Sequence, residues 1–207
     1  MSRFSLISIT VLLFLTACSN EKRSNDGNFK KAINQYLAKH GKACTSIGRD
    51  FPVDVPETVL KDQYGTGSQM AALEEGGLVH SSDTIAASSG ILGLNLSRRV
   101  RRYELTDEGK KYFQAIPGVF GQTGSFCYGE KTVDSIVRWT EPMSMEGYYS
   151  RTEVTYTYKI VNLALWAERP DVQHAFGDIR TTLNGVSKAN QEAGLQLTNQ
   201  GGVVPGQ

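Results

Sequence analysis

The segment EVTYTYKI, residues 153–160, alternates without a break. Val154, Tyr156, Tyr158 and Ile160 fall on one side of an extended chain, and Thr155, Thr157 and Lys159 fall on the other. Successive side chains of a strand point to opposite faces, so the segment reads as a β-strand with one packed face and one wetted face. A single wetted face belongs to an antiparallel sheet, because parallel sheets are covered on both sides. Upstream, TVDSIVRW (132–139) repeats the pattern through Val133, Ser135, Val137 and Trp139, and residues 141–151, with Pro142 and Gly147, serve as the hairpin loop between the two strands. SFCY (125–128) is a short strand carrying Cys127, and residues 195–198 form a last strand. Between them, Pro170 opens a helix over 171–183, where Val172, Ala175, Phe176, Ile179 and Leu183 recur at helical spacing. The C-terminal half is therefore a small antiparallel sheet with a packed amphipathic helix, and the fold class is α+β.

The N-terminal half is more helical. Asn28 is placed to cap a helix over 29–40 whose apolar stripe is Phe29, Ile33, Tyr36 and Leu37, and Gly41 ends it. Cys44 follows in an extended piece. Residues 68–75 form a second helix with Ser68 as its cap, stopped by Gly76 and Gly77. Leu78 and Val79 begin a strand, residues 80–90 (HSSDTIAASSG) read as a loop, and RRVRRYEL (98–105) reads as the returning strand. Thr106 caps a third helix over 107–116.

The run ALEEGGLV, followed after the loop by RRYELTDEGKKYF, resembles the second half of winged-helix domains. The matching positions are Leu73, Gly77, Leu78, Val79, Tyr103, Leu105, Thr106 and Gly109, within residues 70–113. The resemblance implies a winged-helix-like N-terminal lobe with Arg98, Arg99, Arg101 and Arg102 on its wing. Those arginines are expected to form a solvated strand face. Contact with anionic lipid headgroups is the alternative. Glu74 and Glu75 would make the recognition helix acidic, so no nucleic-acid partner is expected.

Arg3, the apolar run of residues 4–14 and Leu15-Thr16-Ala17-Cys18 together resemble the signal and lipobox of Gram-negative outer-membrane lipoproteins. The run is too short for the roughly 20 residues that a spanning helix needs. The resemblance implies cleavage after residue 17 and diacylglycerol on the Cys18 thiol. Ser19 after the cysteine implies sorting to the outer membrane, at its periplasmic face. The expected organisation is a signal peptide over 1–17, a lipidated polar tether over 18–28, a globular domain over 29–200 with 29–120 and 121–200 as candidate lobes, and a flexible tail over 201–207.

Charge and cysteine usage bound the function. The full chain carries 22 basic and 21 acidic residues, and the signal removes only Arg3, so the mature chain is neutral. That balance makes the chain a poor candidate for general nucleic-acid binding. Once Cys18 is lipidated, Cys44 and Cys127 remain as an even pair in an oxidising compartment, where a disulfide is the default. Two buried thiols or a two-cysteine metal site are the alternatives. His40, His80 and His174 show no ligand spacing, so neither a metal nor another cofactor is expected. Ser68 follows glycines as a nucleophile turn would, but the glycine two residues later is missing. The acid pairs Glu74/Glu75, Asp107/Glu108 and Asp50/Asp54 sit at helix ends or turns. Trp139, Tyr148 and Tyr149 flank the 141–151 loop and are candidate partner anchors. Together these features point to a non-enzymatic, lipid-anchored binding or accessory protein with an envelope protein as partner. An inhibitor or immunity protein against an envelope-active toxin or hydrolase is the alternative, and a periplasmic hydrolase is the second.

Overall fold

The alternating strand 153–160 lies inside the larger of two antiparallel sheets. The computed structural model describes residues 24–89, 95–118, 121–145, 149–198 and 203–205. In chain order the elements are α1 (Asp26–His40), β1 (Lys42–Ser46), β2 (Val53–Pro56), a 3-10 turn (Glu57–Val59), α2 (Thr66–Glu75), β3 (Val79–Ser89), β4 (Asn95–Leu105), α3 (Asp107–Tyr112), β5 (Phe113–Gly118) and β6 (Gly121–Trp139). There follow β7 (Met143–Met145), β8 (Tyr149–Val161), a second 3-10 turn (Leu165–Glu168), α4 (Pro170–Ala175), α5 (Gly177–Asn184), β9 (Gln191–Thr198) and β10 (Val203–Pro205). The large sheet runs β1-β6-β8-β9-β10, with β5 also on β6 and β7 also on β8, and the small sheet runs β2-β4-β3. The fold is α+β with antiparallel sheets.

The first helix shows how the sheet is closed. Its cap is Asn25, whose side chain accepts from the Asn28 amide, so it starts three residues before the expected boundary. Phe29, Ala32 and Ile33 are buried with Val133, Val154, Tyr156, Tyr158 and Leu195 in one core. Polar residues of the same helix act on the edge of β6. Lys30 Nζ donates to the Asp134 carbonyl at 2.7 Å, and the Val133 amide donates to Asn34 Oδ1 at 2.8 Å. Gly41 ends the helix, and its carbonyl accepts from the Lys131 amide.

A second core lies between the small sheet, α2, α4 and α5. Met70, Leu73, Val53, Val55, Leu78 and Tyr103 meet Phe126, Tyr128, Trp166, Val172, Phe176 and Ile179 there. Cys44 and Cys127 are direct partners across β1 and β6 and form a disulfide, with their Cα atoms 3.8 Å apart.

The winged-helix-like N-terminal lobe is not formed as expected. The apolar stripe of α1 is buried on the large sheet rather than beside α2 and α3, and β1 and β5 both pair with β6 across the 120/121 boundary. Residues 70–113 do form a helix, a hairpin and a short helix. Three of the motif positions lock together: Thr106 Oγ1 accepts from the Gly109 amide and donates to the Gly77 carbonyl.

Several boundaries differ from the sequence expectation. Residues 80–89 are strand, because every residue of β3 has a partner in β4. The second helix is capped at Gly65 rather than Ser68, whose hydroxyl instead donates to the Gly65 carbonyl. The third helix stops at Tyr112, since Phe113 is drawn into pairing with Phe126. The helix over 171–183 breaks at Phe176 (φ −120°, ψ 85°), next to Gly177, a poor helix former. Residues 125–128 and 132–139 belong to one strand. Register shifts within β6 turn Val133, Ile136 and Trp139 toward α1, in place of a strict alternation, and leave Val137 51% exposed. On β8, Thr155 and Thr157 are buried despite lying on the expected wetted face. Ser135 shares a hydrogen bond with Thr157, and Arg138 lies 3.4 Å from the Thr155 hydroxyl. Residues 143–145 of the expected 141–151 loop form β7, and residues 203–205 of the expected tail pair with β9.

Candidate functional site

The end of β6 is tied to β8 by a threonine clamp. The Thr140 amide donates to the Glu153 carbonyl, the Glu153 amide donates back to Thr140 Oγ1, and Thr152 Oγ1 donates to the Thr140 carbonyl at 2.6 Å. This clamp forms the floor of a groove of about 530 Å³ lined by Thr140, Glu141, Met143, Arg151, Thr152 and Glu153. A smaller groove of about 240 Å³ adjoins it through Thr140 and Glu153 and adds Arg138, Trp139, Thr155 and Glu192. Gly194 lies opposite Glu153, and a Cβ on it would stand 3.3 Å from Arg151 Nη2. The missing side chain leaves the guanidinium room beside the strand.

Charge at this end of the sheet is mixed and unspent. Among the described residues, none of Arg138, Arg151, Glu141, Glu153 and Glu192 takes part in an ion pair. Exposed charges of both signs thus surround grooves whose own lining is more apolar than polar.

Trp139, expected as a partner anchor, stands at the edge of this groove but spends much of its surface internally. Its ring meets Phe29 edge-on at 5.3 Å, and its Nε1 donates to Asp26 Oδ1 at 3.2 Å. It therefore fastens the first turn of α1 to the sheet. Tyr149 enters as the first residue of β8, opposite Met145 and Thr198. Tyr148 and Cys18 lie outside the described residues.

The arginine face stands apart, on the small sheet. Arg102 donates from Nε and Nη2 to the two oxygens of Asp54, both at 2.8 Å, and Arg101 pairs with Asp83 at 3.0 Å. Arg102 holds the Asp54 carboxyl below its ordinary value through that hydrogen bond first, while partial burial opposes it. Two of the four arginines are thus neutralised. Arg98 and Arg99 are exposed further along the hairpin, beyond the end of β2.

Most of the remaining candidates have a local partner. Ring stacking holds His40 against Tyr36, His80 Nε2 lies 3.5 Å from Glu104, and His174 packs near Tyr64. Glu74 accepts from the Ser81 amide, Asp50 from the Phe51 amide, and Asp107 and Glu108 pair with Lys110 and Lys111. Among the described residues no three His, Cys, Asp or Glu side chains converge as metal ligands would.

Arg138, Arg151, Glu153 and Glu192 were not singled out from sequence. The alternation of 153–160 puts Glu153 outward, but only the register of β6, β8 and β9 brings Arg138 and Glu192 to Thr155 between them. No protein-family model matches the chain, and no curated protein or solved structure matches it.

Proposed function

We propose that the chain is a lipid-anchored, non-enzymatic binding or accessory protein of the cell envelope, held at the periplasmic face of the outer membrane through Cys18. The observation that supports it most directly is the fastening of Asp26 by Trp139 beside the groove. Cys18 precedes Asp26 by eight residues, so an anchored chain keeps this end of the sheet within about 28 Å of the lipid, at some 3.5 Å per extended residue. The groove with its mixed charges then faces the space next to the membrane, where a membrane-bound partner would meet it.

The helix–hairpin–helix of residues 66–112 serves in this scheme as scaffold. Its winged-helix likeness brings no nucleic-acid role, since Arg101 and Arg102 are already paired with acids and the chain's 22 basic residues are nearly balanced by 21 acidic ones. An inhibitor or immunity role is the second candidate, supported by Met143 in the β7–β8 hairpin, which is 67% exposed at the mouth of the larger groove.

Cys18→Ala tests the anchor. The variant is expected to remain an unprocessed precursor or to leave the membrane fraction, and normal processing with retention would end the proposal. A photo-crosslinking residue at Met143 in living cells separates the two roles. A constitutive envelope protein supports the accessory role, and a toxin or hydrolase whose action the protein blocks supports the other.

A further inference from the structure

We propose that the open edge of β9 is a strand-addition site that takes an extended segment of a partner protein, one bearing a lysine or arginine among apolar residues. The proposal rests on the binding role above and names how the partner is held.

Residues 191–194 of β9 pair with β8 on one side, whereas β10 covers only residues 195–197 on the other. Among the described residues no strand pairs with 191–194 on that second side. Backbone N–H and C=O groups in an antiparallel strand alternate between its two neighbours, so among the described residues the outward groups of this stretch have no strand partner. A groove of about 200 Å³ runs along it, lined by Ile33 and Tyr36 from α1, Tyr156 from β8, and Glu192, Ala193 and Gly194.

The same helix treats the two edges of the sheet differently. On β6 it supplies Lys30 and Asn34 to the exposed backbone. Beside β9 it supplies Tyr36, which is 46% exposed although Ile33 on the preceding turn is buried. The Tyr36 ring is held by stacking on His40, with centroids 4.5 Å apart and planes 27° from parallel. A fixed, half-exposed tyrosine beside an open strand edge is a ready anchor for a partner. The edge sequence QEAG carries no proline and a single charge, Glu192, to discourage added strands.

The shape and charge of the groove select the occupant. A groove that lies beside a strand edge suits the alternate side chains of an extended segment, whose backbone can pair with that edge. Glu192 is the one charged residue lining the groove and has no ion pair among the described residues. An added strand brings its side chains to about 5 Å from those of β9, where a lysine or arginine would meet the carboxylate. A second copy pairing β9 to β9 about a two-fold axis would place two Glu192 side chains within the same short stretch, and like charges there oppose pairing.

The test uses the full-length lipidated protein in living cells, with p-benzoylphenylalanine replacing Tyr36, Met143 or Ile85 in turn. The expected result is one protein captured from position 36, linked at an extended segment with a Lys or Arg within two residues. Glu192→Lys should then cut capture by about tenfold with the melting temperature unchanged, and Glu192→Gln by a smaller factor. A synthetic peptide of the captured segment should bind the purified protein, and a proline at its centre should abolish binding. Capture of a second copy, of a segment without a cation, or at equal yield from position 85 would overturn the proposal, as would indifference to Glu192→Lys. Capture from position 143 but not from 36 would overturn strand addition and leave the binding role standing. Capture from none of the three would overturn both.

Discussion

Trp139 holds Asp26: the indole N–H at the end of β6 donates to the carboxylate in the first turn of α1, while the ring packs edge-on against Phe29. Two interactions of different strength are combined in one side chain. The hydrogen bond is solvent-exposed and worth little, whereas the ring covers a phenylalanine that is itself fully buried. Trp139→Phe should therefore cost less than about 1 kcal/mol, and Trp139→Ala about 2–3 kcal/mol, somewhat below the range for a fully buried ring. Urea unfolding of the two variants checks the ordering. Equal losses would mean that the hydrogen bond, not the ring, fastens α1.

The Cys44–Cys127 bond joins residues 83 apart, and constraining a loop of that size in the unfolded chain is worth about 4 kcal/mol in the chain-entropy model. Cys44→Ser and Cys127→Ser should each lower stability by that order. The double variant should lose no more than either single one, because both remove the same bond. Melting under oxidising and reducing conditions reads this directly, and insensitivity of the wild type to reductant would show that the bond does not form in solution.

What was legible in the sequence was whatever a local period decides. Val154, Tyr156 and Tyr158 face a core as their alternation requires, and Cys44 and Cys127 form the disulfide expected of them. What escaped was decided by neighbours distant in the chain. Asn34 and Lys30 look like ordinary solvent-facing helix residues until β6 is laid beside them. The serine- and alanine-rich segment 80–89 has weak strand preference and is extended because β4 offers it a full register. Phe113 is a sound helix residue whose place opposite Phe126 overrides the third helix. The candidate site was the least legible part. Trp139 was named for its aromatic character, but the charges around it converge only through the pairing of three strands.

Gly109 is where the motif Tyr-x-Leu-Thr-x-x-Gly acquires its physical reason. A Cβ at this position would collide with the Leu78 carbonyl oxygen, which is backbone and cannot swing aside. Gly109→Ala should force α3 away from the turn at Gly77 and Leu78 and break the hydrogen bonds that Thr106 makes on either side. The expected loss is about 2–3 kcal/mol, the upper part of the range for overpacking a closed interior, because the obstacle is backbone. Thr106→Ala, which removes the cap and the hydrogen bond to the Gly77 carbonyl without any clash, should cost about 1–2 kcal/mol. Calorimetry on both variants tests the order, and an alanine at 109 less costly than one at 106 would refute the packing account.

Asp54 and Arg102 make the stability of the small sheet depend on acid. The hydrogen bond from Arg102 is the main cause of the lowered Asp54 carboxyl, with the charges of Arg102 and Arg98 adding to it and burial opposing. A carboxylate whose folded value lies below its ordinary 3.8 binds fewer protons in the folded chain than in the unfolded one. Its contribution is therefore complete above that ordinary value and is lost as pH falls through the lowered one. Arg102→Met keeps much of the aliphatic stem and removes the charge. The gap in urea midpoint between wild type and variant should be open at neutral pH and constant down to about pH 5, and it should close as pH drops below the ordinary carboxylate range. A gap that persists unchanged at about pH 2 would show that Arg102 stabilises β4 by packing its stem and not through Asp54.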